Sequence, residues 1–280
     1  MLDRLIKSTI RWMPTGAALA CAKHLASRPP RPPISEAEGA AMAKATRLAG
    51  LKWNGDAVWS WGTGPTVLLV HGWGGRAAQM APMALTIAQH GMRAVAFDIA
   101  GHGSSPEPLA KWEFFIRDIG VMSHRLGNVH GHVGHSAGGL SMMAARHLYA
   151  LAPSKFVCIC APSHPHPPVR GLAQRLNPRA SVLERYKTFL ANQFQSSWSD
   201  LEAGAAYRGA GADLLLCYDH KDRFVDHSDG DRIQSFCPGS QLLKTKAHGH
   251  TRILAAPDVI QSVTDFLAPS PAKQRMTAVA

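Results

Sequence analysis

Gly134-His135-Ser136-Ala137-Gly138 is the stretch of this chain best suited to covalent chemistry. It has G-x-S-x-G spacing, follows a strand-like run and precedes a helix-like one. A serine at a sharp strand-to-helix turn takes strained backbone angles, so its neighbours must be small. Gly134 and Gly138 meet that need, and Ala137 and Gly139 keep the helix start uncrowded. Such a turn pushes the Ser136 hydroxyl out of the fold, where a base and a carbonyl can reach it. A free serine is a poor nucleophile, because its proton must leave as it attacks. Acyl transfer through it needs a base, a carboxylate to orient that base, and donors for the developing oxyanion. An imidazole within hydrogen-bond reach supplies the base near neutral pH. Glycines and serines also make ordinary turns, so the pentapeptide gains weight only from the elements around it.

Those elements alternate. Val58 to Trp61 reads as a short strand closed by Gly62-Thr63-Gly64-Pro65. Thr66 to Val70 has no polar alternation, as a central parallel strand buried on both faces should read. A helix follows over Ala77 to His90, a strand over Arg93 to Phe97, and a helix over about 109–126. Val129 to Val133 is the strand leading to Ser136, and Gly139 to Ala150 the helix leaving it. Phe156 to Cys160 is again continuously apolar. After a lapse from about Ser163 to Gly211, strands at Leu214 to Tyr218 and Gln241 to Lys244 alternate with helices near 229–236 and 256–267. The pattern predicts an α/β fold: a mostly parallel, doubly wound sheet with helices on both faces. Ligand sites in such sheets lie at the carboxyl ends of strands. Ser136, His71 and Asp98 all follow strands and share that edge. The lapse opens with Ser163-His164-Pro165-His166-Pro167-Pro168 and carries Phe189, Phe194, Trp198 and Tyr207; it reads as a small, mostly helical cap over the site.

Three loops and two later segments together resemble the α/β-hydrolase family. They are His71-Gly72-Trp73-Gly74-Gly75, Phe97-Asp98-Ile99-Ala100-Gly101-His102-Gly103-Ser104-Ser105, the Ser136 pentapeptide, Tyr218-Asp219-His220-Lys221-Asp222-Arg223-Phe224-Val225, and Ala247-His248-Gly249-His250-Thr251-Arg252-Ile253-Leu254. The likeness covers roughly residues 56–268, and nucleophile, acid and histidine follow in the family's order. The resemblance implies a serine hydrolase of carboxylic esters working through an acyl-enzyme. Ser136 is then the nucleophile, His250 the base and Asp222 the acid that orients it. The backbone N–H groups of Trp73 and Ala137 form the oxyanion hole. It calls for no cofactor and no metal, and its partner is a small ester-like molecule. Thioester, lactone and acyl-transfer chemistry share the fold, as does a binding protein that has lost the chemistry. The division that follows is residues 1–33, an N-terminal helix and proline-rich linker; 34–268, the hydrolase-like domain with the cap insertion; and 269–280, a loose tail.

Several residues compete for these roles. His248 lies two positions before His250, and Asp219 three before Asp222. His71 and Asp98 read as structural braces. His130 and His132 alternate on the Ser136 strand and share one face, but no third ligand at sensible spacing joins them. Trp73 either lines an acyl pocket or packs.

Composition narrows the class further. The 280 residues carry a formal net charge of +11, yet Lys and Arg are scattered without a basic run or a nucleic-acid motif. A basic enzyme surface is the simpler reading, with no nucleic-acid partner. Five cysteines without a C-x-x-C pair fit a reducing, cytoplasmic compartment. Near the N-terminus, Leu2, Leu5, Ile6 and Met13 recur at helical spacing among Arg4, Lys7 and Arg11. That helix either lies on a membrane surface or packs on the domain. Asp3 and Pro14 fit poorly with a cleaved signal. The prolines of 28–33 lack the amide donors a helix needs.

Overall fold

A computed structural model of the protein describes residues 10–53, 56–152 and 154–269. Among them, eight strands form one sheet: β1 (Thr46–Trp53), β2 (Asp56–Trp61), β3 (Thr66–Val70), β4 (Arg93–Ala96), β5 (Val129–His135), β6 (Lys155–Ile159), β7 (Leu214–Asp219) and β8 (Gln241–Thr245). The spatial order is β1-β2-β4-β3-β5-β6-β7-β8. From β4 onward every neighbour is parallel; β1–β2 and β2–β4 are antiparallel. The fold is thus the mostly parallel, doubly wound sheet that the alternation predicts.

Burial explains why these segments are strands. All five residues of β3 are buried. Leu68 and Val70 face one core layer, Val67 and Leu69 the other. Each such side chain removed from water contributes about 2 kcal/mol. One layer lies against α4 (Trp112–Leu126) and α5 (Ala137–Leu148). The other lies against α3 (Ala77–Gln89) and α11 (Pro257–Leu267).

The antiparallel start is not visible in the sequence pattern. β1 pairs with β2 through a register shift between Arg47 and Lys52. Such an irregularity breaks the two-residue period by which an edge strand is read. The short helix α2 (Glu36–Met42) precedes it, opened by a capping box in which Ser35 and Glu38 exchange hydrogen bonds. The Trp61 indole donates to the Ala41 carbonyl at 3.0 Å and pins α2 to β2.

Between β6 and β7 lie α6 (His166–Leu176), α7 (Ala180–Gln193) and α8 (Trp198–Glu202). These cover the carboxyl edge of the central strands. Between β7 and β8 lies α9 (Ser228–Phe236). A further helix, α1 (Thr15–Ala26), packs on α7 and α6 with Ala18 and Ala22 buried at the contact. Arg179 at the start of α7 donates to the Met13 carbonyl. The segment after α1 does not run free. The Ala110 N–H donates to the Ser27 carbonyl at 2.7 Å. Arg31 donates to the carbonyls of Ser105 and Glu107 at 3.2 and 2.9 Å. Leu2, Leu5, Ile6 and the residues after 269 lie outside the described residues. No helix among the described residues is long and apolar enough to cross a membrane.

Candidate active site

Ser136 sits between β5 and α5 with φ 52° and ψ −120°. A non-glycine residue in that region is strained and persists only where its surroundings hold it. They do so here by close packing. A Cβ on Gly134 would lie 2.5 Å from the Gly139 Cα, and one on Gly138 would press into the His71 carbonyl. The Ser136 N–H donates to the Ile159 carbonyl at 2.8 Å, tying the turn to β6. Ala137 opens α5, so its N–H is one of the unpaired donors at the positive end of the helix. The Trp73 N–H lies in the loop after β3, and the turn there is closed by Gly75 N–H donating to the Gly72 carbonyl at 2.9 Å. Neither the Trp73 nor the Ala137 N–H has an acceptor among the described residues.

His250 lies on the short helix α10 (Gly249–Arg252). Its Nδ1 is 2.6 Å from Asp222 Oδ2. A carboxylate can only accept, so Nδ1 carries the proton and Nε2 is left as the basic nitrogen. The other oxygen of Asp222 accepts from the N–H groups of Phe224 and Val225 at 2.7 and 3.0 Å. Burial alone would raise the Asp222 pKa; the hydrogen bond and charge of His250 and the two backbone donors outweigh it and hold the carboxyl below its usual range. Ser136 and His250 line one cavity. No hydrogen bond joins their side chains among the described residues; bonds of this kind tighten when substrate orders a site.

The competing residues are placed elsewhere. Asp219 is fully buried and accepts from Thr245 Oγ1 and from the N–H groups of Lys221, Ala247, His248 and Gly249, at 2.6–3.0 Å. Burial opposes its ionisation, but this ring of donors keeps its carboxyl far below the usual range. It scaffolds the histidine loop. His248 Nε2 faces Asp258 at 3.2 Å, away from the cavity. Gly249, with φ +71°, turns the chain between the two histidines. His71 accepts the Ile99 N–H at Nε2 and donates from Nδ1 to the Gly72 carbonyl. Asp98 accepts from Ala77 N–H at 2.7 Å and from Ser104, bracing the start of α3. His130 and His132 contact the Leu267 carbonyl and the hydroxyls of Ser123 and Ser154. Trp73 both lines the cavity and stacks on Trp112 and Phe115. Of the cap aromatics, Phe189 lines the cavity, while Phe194 and Tyr207 are core residues.

Three contributors carry no mark in the sequence. His135, the variable residue before the serine, donates from Nε2 to the His250 carbonyl at 2.8 Å. Burial and the neighbouring His250 push its pKa down to about 3, so it stays neutral and holds the His250 loop in place. Phe224 packs its ring 5.1 Å from that of His250. Cys160, at φ 49°, places its sulfur within 4.8 Å of donor atoms of Asp222 and His250. Burial, reinforced by Asp222, raises that thiol well above its usual pKa, so it stays protonated and ill suited to bind a cation. All five cysteines are free.

The cavity over Ser136 has a volume of about 740 Å³. Sheet loops form its floor, with α6 and α7 on one side. Leu25, Ala26, Pro29 and Pro30 of the N-terminal arm form another wall.

A serine-bearing elbow, two backbone donors without acceptors among the described residues and a carboxylate-bound histidine stand at one sheet edge, and comparison of the sequence assigns the class of fold. Residues 67–263 match the model of the alpha/beta hydrolase family. The chain belongs to that family. No curated protein matches the chain in sequence. Solved structures share the fold at low identity. A monoacylglycerol lipase from Paleococcus ferrophilus has a TM-score of 0.58 at 18% identity, over 75% of this chain and 97% of that one. A bromoperoxidase from Bacillus anthracis has 0.56 at 18%, over 75% and 95%. A thermophilic esterase from Thermogutta terrifontis has 0.54 at 16%, over 80% and 97%.

Proposed function

We propose that this protein is a serine hydrolase that cleaves carboxylic esters through an acyl-enzyme. The observation that carries the reading is the 2.6 Å contact of His250 with Asp222 beside the cavity that Ser136 lines. Substrate binds with its acyl group against the cavity wall and its carbonyl over Ser136. His250 Nε2 takes the hydroxyl proton as Oγ bonds to the carbonyl carbon, and Asp222 stabilises the imidazolium. The N–H groups of Trp73 and Ala137 receive the oxyanion. Collapse breaks the bond to the alcohol, which leaves with the proton from His250. Water then repeats the sequence and releases the acid. A thioester passes through the same steps with a thiol leaving.

Ser136→Ala tests this directly. It should abolish turnover of chromogenic esters and labelling by a fluorophosphonate probe while the protein stays folded by circular dichroism. Full esterase activity in that variant would refute the reading.

A further inference from the structure

The cavity over Ser136 has an asymmetry of charge. Its interior is apolar, with Trp73, Trp112, Leu172, Leu176, Phe189 and Leu190 among its walls. Leu25 and Phe224 line it too while remaining 49% and 63% exposed, which makes an apolar lip. Every formally charged side chain that lines it is basic: Lys23, Arg28, Lys111 and Arg175. No Asp or Glu among the described residues does so. These cations come from three separate parts of the chain: the N-terminal arm, the start of α4 and the cap helix α6. Two are partly committed. Lys111 pairs with Glu113 at 2.9 Å, and Lys23 sits 4.1 Å from the centroid of the Phe189 ring. Arg28 and Arg175 are exposed and have no carboxylate partner among the described residues.

A cavity of this size holds a molecule with a sizeable apolar part. A one-signed rim beside low-dielectric walls attracts the opposite charge and raises its local concentration. Guanidinium groups in particular offer paired donors to phosphate oxygens.

We propose that the substrate is an anionic amphiphile: an acyl compound whose chain fills the apolar cavity and whose leaving alcohol or thiol bears a phosphate held by Arg28 and Arg175. This rests on the serine-hydrolase reading and specifies its substrate. Ser136 Oγ bonds to the acyl carbon, and the C–O or C–S bond to the phosphate-bearing group breaks. The Ser136 proton leaves with that group through His250, and the phosphate ester itself stays intact. Water then yields the free carboxylic acid.

The test compares a monoacylglycerol with the monoacylglycerol 3-phosphate of the same medium acyl chain, in the full-length protein. The phosphate-bearing ester should show a kcat/KM about tenfold higher at low salt, an advantage expected to shrink as ionic strength approaches about 1 M. Arg28→Ala combined with Arg175→Ala should bring the ratio close to one, and Arg28→Lys with Arg175→Lys should keep much of it. Equal kcat/KM for the two esters, or an advantage that survives the double alanine variant, overturns the proposal. Absence of Ser136-dependent turnover of both esters overturns the parent reading instead. Assays with dispersed monomers and with the same esters in phosphatidylcholine vesicles separate the sources. Faster turnover of monomers supports a soluble phosphorylated substrate, and faster turnover at vesicles supports a lipid.

Discussion

At the scale of single residues, the two histidines and two aspartates of the late loops divide their work by orientation. His250 and Asp222 face each other at 2.6 Å, whereas His248 faces Asp258 and Asp219 is surrounded by loop donors. His250→Ala should lower kcat/KM about a thousandfold, the range seen for loss of a general base, while His248→Ala should stay within about twofold. Steady-state kinetics on one chromogenic ester checks both. Asp219→Asn should act on stability. It exchanges a carboxylate with several donors for a group that must turn one NH2 toward them, costing about 2 kcal/mol in urea unfolding. The sequence holds both members of each pair within three residues and cannot say which way each points. Gly249 at φ +71° separates the histidines, and that angle follows from contacts made after folding.

At the scale of elements, the Ser136 turn is held by neighbours with no room to spare. Gly138→Ala would drive a methyl into the His71 carbonyl, in the loop that offers the Trp73 N–H. Fluorophosphonate labelling should fall sharply in that variant even where circular dichroism shows a folded protein. The proline-rich segment is a second positioning element. Arg31 clips it to the loop that follows β4, and Pro29 and Pro30 wall the cavity. Arg31→Ala should raise KM for long-chain esters several-fold while leaving short-chain esters near their original values, since only the distant wall loosens. Prolines at 28–33 are legible as the end of a helix. Where the segment then lies is not, because its hydrogen bonds go to residues more than 70 positions away.

At the scale of the whole molecule, buried neutral histidines couple folding to pH. Burial pushes His102, His132 and His135 down to about 3 in the folded state, from an unfolded value of 6.5. Below pH 6.5 the unfolded chain therefore binds protons that the native state refuses. The stability these groups contribute is complete above pH 6.5 and is lost as pH falls toward 3. Each adds a slope of about 1.4 kcal/mol per pH unit in that window. Urea unfolding from pH 7 to 4 should show a steep decline, and His132→Gln should reduce the slope by about one proton. An unchanged slope in that variant would show that His132 titrates normally.

From β2 onward the order of strands and helices, the elbow at Ser136 and the family follow from the sequence, because side-chain period and small-residue spacing are local properties; β1 and α2 before it do not. The cap's position in the chain and its helical character follow too. The resemblance names His250 and Asp222, but their contact, the service of His135 to the His250 loop, and the N-terminal arm as a cavity wall are decided only by tertiary structure. Each depends on a hydrogen bond or packing contact between distant segments, and no local pattern encodes the direction in which a loop side chain comes to rest.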